Sequence, residues 1–246
     1  MYNKYFTVTK KISIAASKQH AGAFGAKILS DWVPLQIPKG SSCLKSLTML
    51  VRPKGDATPT QNIFGAEILF STTNTTSLGT VRVAPTHIPH PDIIGMVEIT
   101  TGNFATNIYN STAIATTGMQ GNDNEGGVPL ILTGDVTTGD NVGFDTIYMG
   151  VVAIGAMTFE STTSTINETG FAAGTQTVIT MDSNDITRHF SAGDILHAQD
   201  DAVLGTVASI DSATQLTLTA ANTDAIADDD VIYNLHPITI ILGFEK

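Results

Sequence analysis

Charge is scarce in this sequence. Lys, Arg, Asp and Glu make up 14% of its 246 residues, against about 25% in typical soluble domains. Thr, Ser, Asn and Gly fill the gap. Thr suits pleated, half-buried surfaces, and Gly and Asn suit the turns between them. Cysteine is nearly absent. The single Cys43 excludes an intrachain disulfide, so packing must hold the fold. With no identifiable partner base, Cys43 is expected to be an inert, buried thiol. Long apolar runs are missing too. None approaches the roughly 18 residues that cross a bilayer, and the first eleven residues alternate instead of forming an apolar signal stretch. Neither a membrane span nor export by a cleaved signal is expected.

Motifs for chemistry are equally sparse. There is no Gly-x-Ser-x-Gly and no His-Glu-x-x-His. Gly134-Asp-Val-Thr-Thr-Gly139 lacks the Lys-Ser/Thr end of a phosphate loop. His87, His90 and Asp92 form the one cluster of metal-capable side chains, but Pro85, Pro89 and Pro91 make it a stiff loop, and no metal is expected there. Asp123/Glu125, Asp135/Asp140, Asp200/Asp201 and Asp228–Asp230 match no calcium loop and read as turn residues. Glycosidase clefts are aromatic-lined, whereas this chain has one Trp (Trp32) and five Tyr. No enzyme activity and no cofactor are expected. Three sequons, at Asn74, Asn110 and Asn167, are unremarkable in a chain rich in Thr and Asn.

What is present is alternation of period two. Phe6, Val8, Ile12 and Ile14 share one parity. So do Val33, Leu35 and Ile37; Leu47, Met49 and Val51; and Phe64, Ala66, Ile68 and Phe70. Val81 with Val83, and Val97 with Ile99, suggest shorter strands. Ile147, Met149, Val151 and Ala153 belong to a strand expected to be buried on both faces. Each run is short and bounded by Gly, Pro, Asn or Ser, the pattern of a sandwich or jelly roll. Residues 17–30 allow one helical turn at most. Residues 101–127 read as a long loop or two short strands with a tip at 121–127.

The character changes after Phe159. Small polar residues lead into short apolar segments: Val178-Ile179, Phe190-Ser-Ala-Gly-Asp-Ile-Leu196, Leu204-Gly-Thr-Val-Ala-Ser-Ile210, Leu216-Thr-Leu218 and Val231-Ile-Tyr233. Gly205 suits a bulge, and Asp200-Asp201 a hairpin turn. Five short strands in so few residues suggest a small SH3- or OB-like barrel. Ile238, Ile240, Leu242 and Phe244 then alternate at the end of the chain. That strand needs a sheet, and the expected host is the first domain, beside the strand at 147–158. The sequence thus reads as all-β: a jelly-roll-like sandwich of residues 1–159 plus 234–246, with 160–233 inserted as a small barrel.

Charge is unevenly placed. Nine of the 12 basic residues fall within positions 1–54, opposed by Asp31 alone. The rest of the chain holds three basic and 22 acidic side chains. Either the basic stretch is a solvated face, or it orients the protein against an acidic partner. Direct nucleic-acid binding is not expected, since phosphates repel the acidic body.

The Phe190–Leu196 run, followed by Leu-Gly-Thr-Val-Ala-Ser-Ile and Gln-Leu-Thr-Leu-Thr-Ala-Ala-Asn, resembles a β module of tailed-phage virion proteins. The closing Pro-Ile-Thr-Ile-Ile-Leu-Gly-Phe-Glu-Lys resembles the end of head decoration (cement) proteins. Trp32-Val-Pro-Leu-Gln-Ile-Pro-Lys-Gly40 fits a jelly-roll virion domain. The resemblance covers about a third of the chain and implies no catalytic residues. It implies a decoration protein on the outer capsid surface of a virion, partnered by the major capsid protein and, as a homotrimer, by copies of itself. Lys4, Lys10, Lys11 and Lys18 are the expected capsid or subunit contacts. The alternative is a tail, baseplate or fibre component or a receptor-binding adhesin.

Overall fold

A computed structural model describes residues 5–38, 41–53, 61–85, 92–105, 112–118, 130–133, 144–159, 165–167, 169–182 and 185–246. Its elements are β1 (Tyr5–Ile12), α1 (Ala16–His20), β2 (Ile28–Pro38), β3 (Ser41–Val51), β4 (Ala66–Ser71), β5 (Ile93–Ile99), β6 (Ala113–Gly118), β7 (Leu130–Thr133) and β8 (Phe144–Ala153). They continue with β9 (Val178–Thr180), β10 (Ile195–Ala198), β11 (Val203–Ile210), β12 (Gln215–Leu218), β13 (Ile232–Asn234) and β14 (Ile238–Glu245). The protein is all-β, and its three sheets are antiparallel.

Two sheets make a sandwich. One runs β1-β14-β3-β6, with β7 pairing the start of β3, and the other runs β2-β8-β4-β5. Alternation explains both. On β14, Ile238, Ile240, Leu242 and Phe244 are at most 1% exposed and face the core, while the residues between them are half-buried. They meet Met49 and Val51 from β3, and Ile68, Phe70, Met149 and Val151 from the facing sheet, in one core. Between β2 and β4, β8 is buried on both faces from Asp145 onward except at Tyr148, as expected. Its outer face lies under Trp32 and Leu78. A Cβ on Gly150 would collide with Leu78 Cδ1 and stand 3.2 Å from the Trp32 ring, so a larger residue there would push Leu78 aside.

The placement of β14 corrects one expectation. It lies between β1 and β3, not beside residues 147–158. Both edges of β8 are already taken by β2 and β4, so β14 cannot pair with it, and it joins the opposite sheet. The expected strand at 81–83 is a turn instead. Arg82 adopts φ 72° there, which no strand permits.

A second core gathers Ile179, Phe190, Leu196, Leu204, Val207, Leu216 and Ile232. Its strands run β13-β10-β11-β12-β9. This is an open sheet and not the closed barrel expected from the sequence. Among the described residues, residues 165 and 166 link its two edges, by single bridges Thr165–Val231 and Ile166–Met181. The ladder shifts register on β10 and on β11, and such irregularities bend a strand. Gly205, at φ 139°, sits beside the first shift, as a bulge glycine should.

Candidate functional site

Where the two cores meet, short polar side chains converge on α1. The helix has five residues and no side-chain N-cap, so packing must hold it. Its end is satisfied by Arg82. The Arg82 guanidinium donates to the carbonyls of Lys18 (2.9 Å), Gly22 (2.8 Å), Ala21 (2.8 Å) and Ala23 (3.1 Å). It also lies 4.4 Å above the Phe24 ring. A planar fork with five donors can serve four carbonyls at once, and this accounts for the left-handed backbone tolerated at Arg82.

The opposite side of α1 binds the smaller core. Ser17 donates its amide (2.9 Å) and hydroxyl (2.6 Å) to the Asp201 carboxylate. Burial pulls the Asp201 carboxyl upward, but the two Ser17 donors outweigh it and hold it below the ordinary carboxylate value. Gln19, buried, donates to Ile14 O (2.7 Å) and Asn234 O (2.8 Å). His20 Nδ1 lies 2.8 Å from the Tyr233 hydroxyl.

Beside α1, Arg52 at the end of β3 reaches Asp194 (2.6 Å) and the Ser191 hydroxyl (3.0 Å). Asp194 also accepts the Ser191 amide at 2.8 Å. The Gly193-Asp194 entry to β10 is therefore where the sandwich grips the smaller core. The linking backbone is stitched on both sides: Ile14 N donates to Leu235 O (2.9 Å), Leu235 N to Ile195 O (2.8 Å) and Arg52 N to Pro237 O (2.8 Å). A cavity of about 30 Å³ remains, lined by Gln19, Arg52, Phe159, Tyr233, Asn234 and others. It has room for a water molecule. Asn234 Nδ2 is buried beside it without a protein partner.

A shallower groove of about 300 Å³ lies at the far end of the first sheet, between Tyr5, Phe6, Thr7, Lys45, Ser46 and Phe244. Phe6 stacks on Phe244 with centroids 5.0 Å apart. Tyr5 is 73% exposed. Lys45 pairs with Glu245 at 2.8 Å, and this bond raises the Lys45 pKa above its ordinary value. Cys43, expected buried, is half-buried on this face.

Three of the four expected contact lysines are described. Lys4 lies outside the described residues. Lys10 and Lys11 occupy successive positions on β1, opposite Ile240 and Thr239; Lys10 is half-buried and Lys11 exposed. Lys18 is exposed on α1, and its carbonyl serves Arg82. Of the cluster His87, His90 and Asp92, only Asp92 is described. Among the described residues no three His, Cys, Asp or Glu side chains group as metal ligands. The joint residues Ser17, Gln19, Arg52, Arg82, Asp201 and Asn234 escaped sequence reasoning. One signal was available: Arg52 is the only arginine before Arg82, placed where a strand ends. The chemistry gathered at the joint is hydrogen bonding that fixes one core against the other.

Charge separates along the same line. Residues 160–233 hold twelve acidic side chains against Arg188 alone, a net −11, while the remainder holds eleven of each sign. No family model, no curated protein and no solved structure matches this chain.

Proposed function

We propose that this chain is a structural protein of a phage particle, a decoration protein that binds the outer capsid surface and reinforces the shell. The observation that carries the reading is the strand order. Read as β1-β14-β3-β6 facing β2-β8-β4-β5, the eight strands cross repeatedly between sheets in the manner of a jelly roll with two Greek keys. On this reading residues 160–233 are an insertion between β8 and β14, and their open five-stranded sheet is a small barrel-like unit. Fold alone does not assign function. The quoted likeness to head decoration proteins supplies the rest, with support from the charge partition: a balanced sandwich free to dock, and an acidic unit kept off the shell. The partners are the major capsid protein and further copies of the chain, as a homotrimer.

Adding the purified protein to particles that lack it tests this. Saturable binding and a higher temperature of genome release are expected. Binding at the tail alone would refute it. The groove beside Tyr5 favours a second reading, a glycan-binding adhesin, because its volume suits a small ligand. Glycan-array binding lost in Tyr5→Ala would support that instead.

A further inference from the structure

Among the described residues, β5 is the outer strand of its sheet and pairs only with β4. Among its seven residues there is no Lys, Arg or Pro, the side chains that usually guard an edge. Met96 is 49% exposed, and Ile94 and Val97 are only partly buried. Glu98 stands directly opposite Glu67 of β4. Like charges at such a pair are unfavourable until a cation answers them, and neither carboxylate has an ion-pair partner among the described residues.

The other described edges differ. The start of β2 is covered by Arg82 and Val83, which bond both backbone groups of Ile28, and Pro34 within the strand has no amide to donate to an edge partner. β6 and β7 are short and share β3. Among the described residues β1 pairs only with β14, half of its residues are exposed, and it carries Lys10 and Lys11 beside the half-buried Phe6 and Val8. It has eight residues to the seven of β5.

We infer that copies of this chain join head to tail, the β1 edge of one against the β5 edge of the next. Edge backbone groups supply the ladder, and opposite charge selects the pairing. In a parallel register with Lys10 beside Glu98 of the next copy, Val8 falls beside Met96. The contact is heterologous, so it leaves one β1 and one β5 edge unused and either closes into a ring or extends. This deepens the self-association within the proposed function and rests on that part of it. It is read on the free protein, so its failure is distinct from failure to bind a shell.

The test is the mass of the purified chain by sedimentation or light scattering. The wild type should exceed the 25.9 kDa of one chain by a whole-number multiple. Lys10→Glu and Glu98→Lys should each return it to one-chain mass with unchanged circular dichroism, and both reversals in one chain should restore the assembly. Val8→Cys with Met96→Cys, in a Cys43→Ser background, should cross-link between copies on oxidation, because β1 and β5 end different sheets of the same copy. A wild type at one-chain mass at every concentration would overturn the inference. So would reversals that leave the mass unchanged, or a double reversal that fails to restore it.

Discussion

At Arg52 one guanidinium meets two needs. It neutralises Asp194, whose side chain is 6% exposed, and it reaches across to Ser191. Replacing it with alanine leaves that carboxylate with only a backbone amide. Since the Arg52 head is itself 28% exposed, the cost should be about 1.5–3 kcal/mol, below that of a fully buried pair. A urea midpoint shift measures it, and hydrogen exchange should rise at the Ser191 amide. Arg82→Lys keeps the charge, but one ammonium cannot reach four carbonyls. About 1–2 kcal/mol should be lost, read as a lower melting temperature. His236 gives a pH dependence. Burial depresses its pKa, with the nearby Lys11 charge acting the same way. A histidine depressed on folding contributes stability that is present above its unfolded pKa of about 6.5 and is lost as pH falls through the folded value. Melting temperature should therefore drop on acidification below about pH 6.5, and His236→Gln should flatten that part of the profile.

Among the elements, β14 binds the two ends of the chain together. Ile240 is fully buried between β1 and β3, so Ile240→Ala should cost about 2–5 kcal/mol, measured by urea unfolding. Backbone amides of the second core, such as that of Leu216, should keep their exchange protection at denaturant concentrations that open the sandwich. This level of structure was readable in the sequence where a sandwich strand buries one face, because such burial writes itself as alternation. Residues 5–12, 33–37, 47–51 and 238–245 carry that signature. The turn at 81–83 mimicked a strand because two valines flank Arg82, and the reason for its backbone lies about 60 residues away, in the carbonyls it serves. Beyond the isolated Arg52 at a strand end, the joint was not readable. Arg52–Ser191, Ser17–Asp201 and Gln19–Asn234 are 139, 184 and 215 residues apart, and nothing local marks such partners. The sheet that hosts β14 was also hidden, since alternation sets which face is buried but not which neighbour pairs.

For the whole molecule, the joint and the charge partition bear on one another. The acidic unit is held by Ser17, Gln19, His20 and Arg52 on one side of the sandwich, which makes it a fixed feature and not a tethered one. Its charge keeps it away from any acidic surface the sandwich docks on. On this account shell binding depends on the sandwich, and raised salt should change the rate of binding more than its end point. The most direct measurement is an electron-microscopic image of the particle with this chain located in it. The account predicts density for the sandwich on the outer capsid surface, with the acidic unit turned away from the shell. Density confined to the tail, or none on the particle, would contradict it.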